Sequence, residues 1–386
     1  MRLKFFFSTL ALMLALFAAA ANAQQVTSTT EAPRVEPVKV SGTMYLEWVK
    51  TMENRLEAEN VNTFRIQRVY LDFRKKIDDV WSARATLDVG NDNGATDTRY
   101  QAYIKYAYLQ GAFNLGFGTL TAQFGMIGTP VIGLIDSQSD YRWLNQNYID
   151  AAKALLYRQS NATGATPGQS IDSSADLGLS LSLKVASMVT ITGAITNGEG
   201  YKTGDELAAG DDGKAMYGML TVTPISGLFL SGFYMNRVTD DAEAGDNYVN
   251  YYGANAIYVF QGIRVGVSYV MAKVSTFAVG DPEAEVAEYT LIDAFIMANL
   301  KGFTGMPILL AGRYAMGSTE YAEGYGASNG FTSDVTIWAV GVGYQFNDNV
   351  RVMAYLEDQS SSSSDIAARE WDNSNRNFYV KAEAKL

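Results

Sequence analysis

The sequence predicts an all-β fold, a transmembrane antiparallel β-barrel of about sixteen strands with short periplasmic turns and long extracellular loops. Three observations predict it: an N-terminal export signal, a two-residue alternation of apolar and polar side chains from Val38 onward, and connections that are alternately short and long.

The signal comes first in the chain. Met1-Arg2-Leu3-Lys4 is basic, Phe5 to Ala20 is apolar, and Ala21-Asn22-Ala23 is a small-x-small cleavage pattern, so residues 1–23 read as a secretory leader and Gln24 as the first mature residue. Residues 24–37 are polar, contain two prolines and show no periodicity; they read as a flexible periplasmic lead-in. Residues 38–386 are expected to form the barrel, integral to a bacterial outer membrane.

Within that region the alternation sorts residues onto two faces. In 80–90, Trp81, Ala83, Ala85, Leu87 and Val89 alternate with Ser82, Arg84, Thr86 and Asp88; in 262–273, Ile263, Val265, Val267, Tyr269 and Met271 alternate with Arg264, Gly266 and Ser268. The stretches 175–186 and 375–386 repeat the pattern. One face suits lipid and the other water. Short connections at Asp78-Asp79, Ala186-Ser187, Ile225-Ser226, Gln261-Gly262 and Asn347-Asp348 belong at the periplasmic rim, with the longer ones outside. A soluble β-sandwich also alternates, but it would need a linker or repeat in a chain this long, and none occurs after residue 38.

Composition narrows the chemistry. The chain holds 0 histidines and 0 cysteines, so Ser-His, Cys-His and Zn-His arrangements are excluded, as is a disulfide scaffold. No paired carboxylates stand out for a histidine-free mechanism, and neither an enzyme nor a cofactor or metal site is expected. Asn91-Asp92-Asn93-Gly94 resembles part of a calcium loop but lacks its full ligand spacing and reads as a hairpin loop. A formal net charge of −11 disfavours nucleic acid. Acidic runs such as Asp205-Glu206, Asp211-Asp212 and Asp240-Asp241 in the outer loops read either as solvated surface or as carboxylates facing the lipopolysaccharide layer.

The longest connection, 127–174, is too long to be a passive link. Its first part, TPVIGLIDSQSDYRWLNQNYIDAAKALLYRQ, carries aliphatics, aromatics and a helix-like stretch near Ile149 to Leu156, and is the candidate for a constriction folded into the bore. Parity supplies the opposing wall. Arg68, Arg74, Arg84, Arg99 and Lys105 are expected to face inward as a basic row, opposite Asp136, Asp140, Arg142 and Asp150 on the loop. Such a wall and loop would set a transverse field that favours small hydrophilic solutes and ions. Local pairing of lumen charges is the plainer alternative. Arg65 breaks the parity of Arg68, which points to a bulge or a misplaced strand boundary near Gln67.

These residues also carry a resemblance. FRIQRVYLDFRKKIDDVWSARATLDVG (64–90), YIKYAYLQ (103–110), LTAQFGMIGTP (120–130), NGEG (197–200) and VGVGYQFNDNVRVMAYLE (340–357) are similar to Gram-negative outer-membrane porins, most closely the phosphate-selective porin O/P-like group. The resemblance implies a sixteen-stranded homotrimer whose third outer loop, here 127–174, narrows the pore. A passive diffusion channel is the expected function, with an anion- or phosphate-selective channel, or a barrel that sheaths a protein partner, as alternatives.

Overall fold

The computed structural model describes residues 36–54, 61–90, 99–147, 149, 172–202, 213–241, 245–275, 285–321, 331–363 and 373–386. The leader and the lead-in up to Val35 lie outside them, as do the 91–94 stretch and the acidic runs at 205–206 and 211–212.

Sixteen antiparallel strands form one closed barrel: β1 (Lys39–Asn54), β2 (Asn62–Lys76), β3 (Trp81–Gly90), β4 (Gln101–Asn114), β5 (Gly118–Gly128), β6 (Ala175–Val185), β7 (Val189–Thr196) and β8 (Ala215–Val222) make the first half. The second half is β9 (Leu228–Asp241), β10 (Gly245–Phe260), β11 (Ile263–Ser275), β12 (Glu285–Asn299), β13 (Ile308–Tyr321), β14 (Phe331–Gln345), β15 (Val350–Ser363) and β16 (Asn373–Lys385). Each strand pairs with its sequence neighbours, and β16 returns to β1 from Thr43↔Lys385 to Asn54↔Asn375. The backbone of the last residue, Leu386, exchanges both hydrogen bonds with Gly42, at 2.8 and 3.2 Å. Closure leaves no ladder edge for hydrocarbon to strand. No helix among the described residues is long and apolar enough to cross a membrane, so the crossing is made by strands.

The seven connections that follow even-numbered strands β2 to β14 run from two to eight residues and gather at one end of the barrel. Two of them use positive φ at both central residues, Ala186-Ser187 (46° and 58°) and Gln261-Gly262 (46° and 88°). That geometry matches the right-handed twist of the flanking strands, and it explains why a glycine stands second in the latter turn. The remaining short connection with secondary structure carries a helix of four residues, α2 (Lys301–Thr304), numbered after the longer helix α1 (Pro130–Ser139) that follows β5.

Face assignment follows parity along β3, β11 and β16. Val265, Val267 and Tyr269 are exposed on the outer surface, whereas Ser268 of the same strand and its partner Asp293 on β12 are buried on the inner one. The bulge near Gln67 is present: Arg68 pairs opposite Tyr45 and Ile66 opposite Leu46, so Gln67 is skipped and Arg65 turns inward onto Glu47. A second bulge skips Lys105 between Tyr106 and Ile104 of β4. Inward parity there changes from Tyr103 to Tyr106 and Tyr108, with Lys105 also buried.

The inner surface departs from a uniformly wet bore. From β7 to β12 it is built of Ala194, Tyr217, Phe233, Met235, Val249, Tyr251, Val270 and Leu291, and these form one buried cluster with Val131, Ile132, Ile135 and Ile149 of the long connection. A second cluster joins Tyr141, Trp143 and Leu144 to Phe295, Met297, Leu309, Met353, Tyr355 and Tyr379. The hydrophobic core therefore lies inside the cylinder, between the wall and the loop.

Candidate functional site: a narrowed bore

Helix α1 starts where the chain leaves β5. Thr129 has extended backbone (φ −67°, ψ 139°), Pro130 supplies a preset φ at the first helical position, and Asp140 ends the helix in the left-handed region at φ 55°. Val131, Ile132, Ile135 and Ser139 share the buried face. Helix α1 precedes the helix-like stretch near Ile149 to Leu156, of which Ile149 alone is described, as helical and buried; Asp150 lies outside the described residues.

Beyond apolar contact, cations from one wall pin the loop. Arg264 on β11 donates to the Gln138 carbonyl at 2.7 Å, Arg313 on β13 to the Gln146 carbonyl at 3.0 Å, and Lys381 on β16 to the Leu144 carbonyl. Arg351 on β15 takes both carboxylate oxygens of Asp140 at 2.6 and 2.9 Å. Asn145 donates to Glu357 at 2.6 Å, and the Tyr141 and Tyr355 hydroxyls are hydrogen-bonded. At the far end of the loop, Asp172 accepts from the Tyr217 and Tyr251 hydroxyls at 2.8 and 2.6 Å. Burial pushes the Tyr141 phenol well above its ordinary range, so it remains a neutral hydrogen-bonding group.

Docked against β7–β16, the loop leaves open space on the side of β1–β4. A recess of about 280 Å³ lies there, lined by Ser41 and Thr43 of β1, by Tyr70, Asp72, Arg74, Arg84 and Thr86 of β2 and β3, by Lys105 and Tyr106 of β4, and by Asp136 and Arg142 of the loop. The carboxylate of Asp72 sits between Arg74 at 2.5 Å and Arg84 at 2.6 Å. The Arg84 guanidinium lies 4.3 Å from the centre of the Tyr106 ring. Arg142 donates to the Tyr70 hydroxyl at 3.4 Å, and Asp136 accepts from Asn147 at 2.9 Å.

Of the expected basic row, Arg74, Arg84 and Lys105 line the recess. Arg68 is buried above it, 3.5 Å from Asp88, in space left by Gly90, where an added Cβ would meet the Arg68 guanidinium at 2.6 Å. Arg99 is exposed and precedes β4, outside the row. Asp136 and Arg142 face the wall as expected, whereas Asp140 points away from it to Arg351, because it terminates the helix on the docked side. The anchors Arg313, Arg351 and Lys381 were not anticipated. Their inward parity and the apolar inner residues beside them are the signal: strands greasy on both faces are covered on both. Among the described residues no group of acidic side chains is disposed to hold a metal.

The bore is thus a closed cylinder of sixteen strands with its longest loop packed inside, and the sequence matches the Gram-negative porins over residues 9–364. The chain belongs to the Gram-negative porin family. It is an outer-membrane channel. No curated protein matches the sequence. Among solved structures, the in-vitro folded, trimeric form of the outer membrane protein OmpT of Vibrio cholerae aligns at 14% identity and TM-score 0.57, over 91% of this chain and 99% of that one. The outer membrane channel DcaP of Acinetobacter baumannii aligns at 11% identity and TM-score 0.56, over 93% and 100%. An anion-selective porin from Comamonas acidovorans aligns at 11% identity and TM-score 0.56, over 91% and 99%. Identities this low carry the fold alone.

Proposed function

We propose that this porin is a passive diffusion channel for small hydrophilic solutes and ions, narrowed by the loop 127–174 and weakly anion-favouring. The observation that carries the reading is the charge balance of the recess. Four cations, Arg74, Arg84, Lys105 and Arg142, share it with two carboxylates, Asp72 and Asp136. Because that excess stands between low-dielectric walls, it raises the local concentration of anions. The trimeric form of one structural neighbour and the anion selectivity named for another agree with a homotrimer that prefers anions. Residues 1–23 fit export as a cleaved leader, and the acidic outer loops would meet the lipopolysaccharide layer.

Strict phosphate selectivity, implied by the resemblance to the porin O/P-like group, is less well supported, because Asp72 and Asp88 offset members of the basic row. A barrel sheathing a protein partner fits poorly, since the chain's own loop fills much of the bore. Purified protein in planar bilayers tests the proposal: stepwise conductance with a reversal potential of anion-favouring sign in a salt gradient is expected. Folded protein without conductance would overturn it.

A further inference from the structure

The connection after β7 also enters the bore. Its described part, Asn197–Lys202, bends over β6: the Gly198 amide donates to Asp176 at 2.6 Å and the Tyr201 amide to the Ala175 carbonyl at 3.1 Å. From there the Tyr201 side chain reaches across to the basic wall. Its hydroxyl donates to Asp88 of β3 at 2.6 Å, and its ring meets Tyr103 of β4 edge-on at 6.3 Å. The Lys105 ammonium lies 5.3 Å from the same ring and 4.0 Å from Asp88.

Under this arm, Asp88, Arg68 and Lys105 have side-chain exposures of 0, 5 and 6%. Inward-facing charges of a water-filled bore are ordinarily wet, so these three are covered: Tyr201 meets Asp88 and Lys105 from the loop side, and the Tyr70 ring of β2 lies 5.0 Å from the Lys105 ammonium on the recess side. Burial holds the Tyr201 phenol in its protonated form, with Lys105 acting in the opposite direction, so the hydroxyl remains a donor at neutral pH.

We infer that Tyr201 is a specificity-determining residue of the channel, a latch that holds Asn197–Lys202 inside the bore and keeps Arg68, Asp88 and the loop side of Lys105 out of the solute path. With the latch closed, anions meet the recess cations alone. With it open, Lys105, otherwise met from the recess alone, is reached from the loop side as well, Arg68 beside Asp88 joins the basic wall, and the passage widens. The inference rests on the diffusion-channel reading for its transport consequence, though not for the latch itself.

Two measurements on the full-length protein in lipid test it. In bilayers, Tyr201→Ala should raise single-channel conductance by roughly a half and the anion-to-cation permeability ratio about twofold. Tyr201→Phe keeps the ring and loses the Asp88 hydrogen bond, and should flicker between the two conductance levels. The second measurement needs no current. The chain has 0 cysteines, so Arg68→Cys carries a unique thiol, and a charged thiosulfonate added from the loop side should label it on the order of tenfold faster when Tyr201→Ala is also present, because an opened cover exposes the buried site. Equal labelling rates in heat-modifiable, folded protein would overturn the latch. Faster labelling without conductance in any variant would uphold the latch and overturn the channel reading, whereas faster labelling with unchanged permeability ratio would overturn the role in specificity.

Discussion

Arg351 bridges the loop and the barrel: its two terminal nitrogens hold both oxygens of Asp140 at 2.6 and 2.9 Å while its Nε lies 2.5 Å from Glu383 on the neighbouring strand. The Glu383 side chain is 5% exposed and the Asp140 side chain 38%, so the two halves of the bridge differ in worth. Replacing Arg351 with alanine strands Glu383 in a desolvated place, with Lys385 still beside it at 3.6 Å. A loss of about 3 kcal/mol is expected, the lower end for a broken buried pair. Asp140→Asn should cost only about 1 kcal/mol, because its carboxylate is partly solvated. Urea unfolding in lipid vesicles checks the order; equal losses would show that the loop side dominates the bridge.

Asp72 sets the charge of the recess through two arginines at once. Asp72→Asn keeps the shape and leaves Arg74 and Arg84 without their shared counter-charge, so the anion-to-cation permeability ratio should rise about twofold in dilute salt. Arg84→Gln should lower it. Screening lengths shrink from roughly 10 Å at 0.1 M salt to 3 Å at 1 M, so both effects should nearly vanish in the concentrated solution. Reversal potentials at the two salt concentrations measure this, and a ratio insensitive to Asp72 would place the selective charges elsewhere.

The docking of the loop depends on its apolar face as well as its charges. Ile132 is fully buried among inner-wall side chains, whereas Leu134 on the same helix is half-buried. Ile132→Ala is expected to weaken docking by about 2–4 kcal/mol through lost transfer energy and a cavity, and Leu134→Ala by less than about 1 kcal/mol. Since strand pairing does not involve α1, the barrel should remain closed in both. Larger and noisier currents for Ile132→Ala, with an unchanged heat-modifiable band on gels, are the expected result.

Much of this was legible in the residues, because strand parity is a local property. Val265, Val267 and Tyr269 declare their face within one segment, and the mismatch between Arg65 and Arg68 located an irregularity at Gln67, which pairing with β1 resolves as a bulge. The Lys105 bulge was not legible: inward positions on both sides of it carry tyrosines, so polarity gives no break in pattern. Phe233, Met235 and Tyr251 read as errors of alternation until α1 is seen to cover them. Asp140 was misplaced for a related reason. Sequence gives its charge, but the left-handed turn that ends α1 decides which wall that charge meets.

Arg313 and Asp293 form an enclosed anchor, at 2.8 Å with side-chain exposures of 2 and 6%. Arg313 also donates to the Gln146 carbonyl, so it serves wall and loop together. Removing the cation alone, as in Arg313→Leu, leaves a carboxylate in the space between barrel and loop and should cost about 3–5 kcal/mol. Removing both, with Asp293→Leu added, takes away the stranded charge and should recover most of that loss, since a buried pair is often replaceable by apolar groups of similar volume. The Gln146 carbonyl remains unserved in either case, so recovery should stop short of the parent by about 1–2 kcal/mol. A double-mutant cycle read by urea unfolding separates the two contributions. If the double variant is as unstable as Arg313→Leu, the loop carbonyl rather than the ion pair is what Arg313 holds.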